Sequence, residues 1–214
     1  MNNRFDFSKR VKTKIWLETE SDSNPFVAQD CFLFGYPFAE LVQKKSFVEI
    51  LYLLIVGELP SPRKSKLMEF AMKVLINFGP RDPSTRVAML TGIGKADPLH
   101  ILPNALIAVG GENEAGQVSG CYEYILAHLG EHDCIPDSNN AEVPGFGLPF
   151  GEVDNLAQKY LALMLKEFPS SKVFELMEDL NQAQLQAKKG GVLLQGIAAA
   201  IFVELGVKKR EAMG

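Results

Sequence analysis

The stretch Val109-Gly110-Gly111-Glu112-Asn113-Glu114-Ala115 lies between two segments of helical character. Asp97-Pro98 opens the first, which runs through Ile107, and Glu112 opens the second, which runs to about Leu129. An aspartate at such a boundary can accept from the free amides of the first turn, and a proline at the first helical position gives up no hydrogen bond. Adjacent glycines between elements can signal a phosphate-binding loop, but that signature needs a preceding strand. No strand precedes Gly92, Gly94, Gly110 or Gly111, so they suit close helix packing instead. The fold class is therefore mainly α.

Outward from this stretch the helical reading holds. Asp82-Pro83 opens another helix by the same device. Residues 64–78 form a helix with Leu67, Phe70, Ala71, Val74, Leu75 and Phe78 inward. Phe47, Ile50, Leu51, Leu54 and Ile55 recur at helical spacing and predict one wide apolar face, stopped by Gly57 and Pro60. Residues 12–17 and 26–34, separated by Ser21-Asp22-Ser23-Asn24-Pro25, read as a short N-terminal β-hairpin. Residues 130–151 are polar and rich in glycine, proline and asparagine, a candidate hinge. Helices follow at 152–168, 171–188 and about 193–205. The expected organisation is a large helical core with the hairpin over 1–130, a reduced small lobe over 131–189, and a late helix with a shortened C-terminus over 190–214.

The 214 residues are enough for one substantial domain or one domain with a small lobe, and 47% hydrophobic with 22% charged residues is ordinary for a globular protein. A net charge of −4 gives no nucleic-acid or anionic-membrane surface. The apolar runs are too short to span a bilayer, and residues 1–10 lack the apolar core of a signal peptide. Three cysteines, Cys31, Cys121 and Cys134, show no metal-ligand spacing, and an odd count argues against a disulfide framework. Reduced thiols and a cytoplasmic location are expected, with neither metal nor cofactor.

Several ordered motifs resemble the citrate synthase family. Val109–Ala115 resembles its His-Gly-Gly-x-Asn-Glu-Ala. Phe34-Gly35-Tyr36-Pro37-Phe38-Ala39-Glu40-Leu41 is similar to its Gly-Tyr-Pro-x-x-Glu-Leu, and the segment ending Gly57-Glu58-Leu59-Pro60 to its Leu-x-Gly-Glu-Leu-Pro. Pro144-Gly145-Phe146-Gly147 resembles Pro-Gly-Phe-Gly-His, and residues 197–207 resemble its late helix. The resemblance covers most of the chain and implies a citrate synthase-like helical fold, citryl-CoA lyases being part of that likeness. It implies condensation of an acyl-CoA such as acetyl-CoA with a 2-oxo acid such as oxaloacetate, the step that feeds the tricarboxylic acid cycle. In that acyltransferase chemistry a carboxylate removes the α-proton, one histidine holds the enol oxygen, and a second polarises the acceptor.

Those positions are occupied differently here. Val109 stands for the first histidine, Leu148 for the second, and Gln195 maps to the catalytic aspartate. Valine and leucine offer no hydrogen bond, and a glutamine amide has no useful basicity. A positioned acid or base contributes about 10²–10⁴ in rate, and members of one catalytic unit fail together. The family's aspartate-proline-arginine element after the second histidine has no counterpart in Pro149–Asn155. Its Asp-His-Glu-Leu-Asn-Ala-Ser-Thr is replaced by residues 77–85, and the family's longer tail, with its arginine for substrate carboxylates, is expected to be missing. Glu112 replaces a small residue at a helix start, where it suits the dipole but opposes an anionic substrate.

Other candidates carry both a ligand reading and a plainer one. Arg81 and Arg86, with Lys95 beyond them, can bind a carboxylate or phosphate, or pair with Asp82 and Asp97, or face water. His100 can be catalytic, or packed, or turned to a partner. Asn113 and Glu114 match the family motif and are ligand-binding candidates. His128 and His132 are four apart, and Cys134 lies near His132; a surface cluster is the plainer reading of both. The resemblance implies that the region from Asp82 to Gly120 builds a dimer interface, and Ala88, Gly92, Ala105, Ala108 and Gly116 suit it. The expected protein is a dimeric pseudoenzyme acting as a binding or regulatory subunit. It would form a homodimer or pair with a citrate synthase-like paralogue, an acyl-CoA or carboxylate being the ligand that the resemblance allows. The alternative is a remodelled condensing enzyme or C–C lyase, completed by a partner chain.

Overall fold

Thr13 decides where the first strand begins. Its Oγ1 accepts hydrogen bonds from the amides of Ile15 (3.2 Å) and Trp16 (2.8 Å), folding the chain back locally. In the computed structural model, which describes residues 12–76, 78–129 and 142–208, strand β1 is therefore Trp16–Ser21, later than the alternation over 12–17 suggests. It pairs antiparallel with β2 (Asn24–Leu33) from Trp16 opposite Leu33 to Ser21 opposite Asn24, with irregular register around Glu20. A two-residue β3 (Tyr36–Pro37) adds to β2.

The chain divides into two compact units, Met1–Glu69 and Phe70–Gly214. In the first, α1 (Phe38–Lys44) and α2 (Phe47–Val56) follow the hairpin. Ser46 and Glu49 form a reciprocal capping box at the head of α2. The backbone amide of Ser46 and the Lys45 ammonium hold the Glu49 carboxyl below its ordinary range. Leu33, Leu41 and Leu53 form the core, with Trp16, Phe34, Phe38, Ile50 and Leu59 around them. The Trp16 and Phe38 rings meet edge to face at 5.3 Å.

The buried side of α2 differs from the expected face. Tyr52 and Leu53 are fully buried, whereas Phe47 and Leu54 are exposed. The sequence Phe-Val-Glu-Ile-Leu-Tyr-Leu-Leu-Ile-Val is apolar nearly all round, so its period selects no face. Helix α3 (Pro62–Val74) buries Leu67, Ala71 and Val74 as expected, but ends before Phe78, which is exposed.

The second unit holds α4 (Pro83–Ile93), α5 (Pro98–Val109), a π-turn (Glu112–Gly116), α6 (Gln117–His128), β4 (Phe146–Gly147), a 3-10 turn (Pro149–Gly151), α7 (Asn155–Glu167), α8 (Lys172–Gln186), β5 (Gly191–Val192) and α9 (Leu194–Leu205). Asp82 and Asp97 cap α4 and α5 as their Asp-Pro pairs predict. α6 packs along α9. Ala198, Ala199 and Ala200 lie buried in α9 between Ile197 and Ile201, where small side chains allow close approach. Leu161 and Met164 of α7 and Phe174, Met177 and Leu180 of α8 are buried as well. Ser171 caps α8 by accepting from the Phe174 amide, and its hydroxyl donates to Glu204 Oε2 at 2.8 Å, tying α8 to the end of α9.

α4 and α5 pack along each other but contribute almost nothing to the interior. α5 has no buried residue and α4 has only Ser84. Leu90, Ile93, Leu99, Leu102, Leu106 and Ile107 are all more than half exposed. No helix among the described residues is long and apolar enough to cross a membrane. Of the expected hinge, residues 130–141 lie outside the described residues, as do His132 and Cys134.

Candidate functional site

The Pro144–Gly147 motif and the start of α9 are joined by backbone at very short range. Phe146 pairs with Val192 and Gly147 with Gly191. The Gly145 carbonyl accepts from the Leu193 amide at 2.8 Å, and its amide donates to Gln117 Oε1 at 2.9 Å. Gly145 has φ +80°, and a Cβ there would lie 2.7 Å from the Gly196 Cα. Gly190 has φ +114°, and a Cβ there would collide with the Gly147 carbonyl. Behind β5, Gln158 and Asn181 exchange two amide hydrogen bonds of 2.9 and 2.8 Å, and Asn181 Oδ1 also accepts from the Val192 amide. This network fixes the ground from which Leu148 and Gln195 emerge.

Gln195 donates from Nε2 to Glu114 Oε2 at 2.8 Å, joining α9 to the π-turn. The turn is closed by the amides of Glu114 and Gly116, both donating to the Gly111 carbonyl at 3.2 Å. π-turns inside helices recur at functional sites. Burial pushes the Glu114 carboxyl above its ordinary range; the Gln195 bond opposes that, and the negative charge of Asp82 adds to it. Asp82 itself accepts from the Thr85 amide at 3.0 Å and from the Ser84 hydroxyl, and so caps α4.

Val109 is the half-buried last residue of α5, two positions before Gly111. Leu148 follows β4 directly and is partly exposed. Arg81, Arg86, His100 and Asn113 are exposed. Neither arginine makes an ion pair among the described residues, and Asp82 and Asp97 serve as helix caps. His100 is not packed within this chain. His128 stacks on Tyr124 at 4.2 Å, with Nδ1 2.7 Å from the Tyr124 carbonyl. Cys121 is buried and its thiol is pushed up to about 12, so it is no nucleophile at neutral pH. Among the described residues no three His, Cys, Asp or Glu side chains are grouped to hold a metal.

The contact that sequence reasoning missed is Gln195 with Glu114. Glu114 and Gln195 were each legible as motif positions, but nothing in their spacing pairs them. Gln117 was also missed, since a glutamine in an amphipathic helix gives no sign of an amide partner in a distant turn.

No protein-family model and no curated protein sequence matches the chain. Solved structures do. Citryl-CoA lyase from Hydrogenobacter thermophilus superposes with a TM-score of 0.76 at 22% identity, over 95% of this chain and 79% of that one. A mutant ATP citrate lyase from Methanosaeta concilii, in complex with (3S)-citryl-CoA, gives 0.70 at 16% identity, over 97% of this chain; this chain spans only 36% of that one. Citrate synthase from Thermotoga maritima gives 0.50 at 15% identity, over 94% and 84%. With its helical core, its N-terminal hairpin and its glycine-packed late helix, this chain has the citrate synthase-like fold that these lyases and synthases share.

Proposed function

We propose that this chain is a citrate synthase-like subunit that assembles with a second citrate synthase-like chain, another copy or a paralogue, and does not itself perform the condensation. The observation that carries this reading is the state of Gln195. Where the resemblance calls for a free carboxylate base, an amide is tied to Glu114 at 2.8 Å. Val109 and Leu148, at the two histidine positions, can neither donate nor accept. The assembly half of the reading rests on α4 and α5. Two helices with almost no buried residue of their own and a row of exposed leucines and isoleucines gain little stability alone. Arg86 is the one charged residue within the two helices, so the face suits an equally apolar one. An isologous pair of such faces meets that condition.

Calorimetric titration with acetyl-CoA, propionyl-CoA and oxaloacetate tests the site. No binding in the micromolar range is expected. Micromolar affinity for either CoA ester would overturn the reading.

A second reading has its own support. The raised Glu114 carboxyl can hold a proton near neutral pH more readily than an ordinary one, and the similarity to a citryl-CoA lyase is closer than to the citrate synthase. On that reading the chain is a remodelled condensing enzyme or C–C lyase in which Glu114 moves the proton, with Arg81, Arg86 or His100 meeting the ligand. Such an enzyme would release free CoA from an acyl-CoA in a way that Glu114→Gln abolishes.

A further inference from the structure

The outer half of the N-terminal hairpin buries no side chain among the described residues. Trp16 and Leu33 anchor its base in the core of the first unit. Beyond them Thr19, Glu20, Asp22, Ser23 and the run from Phe26 to Asp30 are exposed, and the strand pairing loses its regular register around Glu20. A two-stranded ribbon without a packed face is marginal in water. From Leu17 to Asp22 it reaches about 15 Å at the rise of an extended strand.

The charge on this arm has one sign. Glu18, Glu20, Asp22 and Asp30 lie between Trp16 and Cys31, with no lysine or arginine among them. The chain has 26 acidic residues against 22 basic, so these four account for its whole net charge of −4. The ion pairs among the described residues lie elsewhere, and Lys12 and Lys14, which precede the strand, pair with none of the four. Glu18 is engaged by the Trp16 indole, which donates to its Oε1 at 2.8 Å. Glu20, Asp22 and Asp30 remain exposed. No three carboxylates are grouped there to hold a metal among the described residues, so the arm suits a spread of cationic side chains rather than a single ion.

The matching charge borders the proposed assembly face. Arg81 precedes α4 and Arg86 lies at its fourth position, both exposed and without an ion pair among the described residues. Asp82, between them, is committed to the Thr85 amide and the Ser84 hydroxyl. We propose that the arm of one copy lies on the head of α4 of a second copy, with Glu20 and Asp22 against Arg81 and Arg86. The claim rests on the proposed assembly and adds what selects its partner. Carboxylates and guanidinium groups pair through parallel charge-assisted hydrogen bonds, and a two-fold axis repeats the contact. The apolar faces of α4 and α5 suit any equally apolar face; the arm admits only one that carries cations at this place.

The dissociation constant of the dimer, measured on the whole chain by light scattering during dilution at about 50 mM and about 500 mM salt, tests the contact. Glu20→Lys with Asp22→Lys is expected to weaken the dimer about tenfold at low salt, since exposed pairs are individually small but four are reversed at once. The same variant is expected to lose the weakening by salt that the unaltered dimer shows. Arg81→Glu with Arg86→Glu is expected to match it, and all four changes together to restore the affinity. Double variants that dimerise as tightly as the unaltered chain would overturn the arm contact and leave the assembly face standing. A quadruple variant as weak as either double one would do the same. A single-chain mass for the unaltered protein at every concentration would overturn self-assembly and the arm contact together.

Discussion

Gly190→Ala is expected to destabilise the second unit by more than about 4 kcal/mol, beyond what most single substitutions do. Two effects act together. The backbone at Gly190 has φ +114°, which a residue with a Cβ rarely adopts, and the added carbon would collide with the Gly147 backbone carbonyl. Backbone cannot swing aside as a flexible side chain can. Moving it would break the β4–β5 pairing and disturb the Leu193-to-Gly145 bond beside it. Gly151, with φ +84° but open space around it, is the control: Gly151→Ala meets strain without collision and is expected to lose about 1–2 kcal/mol. Urea denaturation of both variants checks the contrast, and equal losses would show that the close approach at Gly190 contributes nothing.

The second large effect is expected at the assembly face. Leu102 stands 65% exposed on α5, a helix with no buried residue. Leu102→Asp would place an unpaired carboxylate in an apolar contact, and in an isologous dimer it would do so twice. A loss of about 3 kcal/mol per dimer is a modest expectation for a central interface position, roughly a hundredfold in dissociation constant. Light scattering at micromolar concentration should give the mass of two chains for the unaltered protein and of one for the variant. A single-chain mass for the unaltered protein would refute self-assembly and leave only a paralogue as partner.

These two regions also show what the sequence could and could not convey. Asp82-Pro83 and Asp97-Pro98 marked the starts of α4 and α5 because an aspartate cap followed by proline has a local physical meaning, and both aspartates do cap. The helices over 155–186 and α9 were legible from apolar period and flanking residues. The inward side of α2 was not, because its sequence is apolar around most of its circumference and tertiary contacts choose the side. The first strand began late because Thr13 bonded its own backbone neighbours, a local competitor that alternation does not register. At the candidate site the motif positions Val109, Leu148 and Gln195 could be read one by one. The bond from Gln195 to Glu114 spans 81 positions, and no local rule pairs residues so far apart. Asp82 was read as a cap, which it is.

The same cluster offers a physical account of Gln195. A carboxylate there would be the third beside Glu114 and Asp82, with no cation paired to them among the described residues. An amide instead gives Glu114 a donor and adds no charge.

The central claim is that this site no longer carries out the condensation or its reversal. Its most direct test is the release of free CoA thiol by the purified chain, with acetyl-CoA plus oxaloacetate in one arm and citryl-CoA in the other. The account predicts no release above the uncatalysed background in either arm. Catalysed release in either arm that Glu114→Gln abolishes would contradict it and establish a remodelled enzyme in its place.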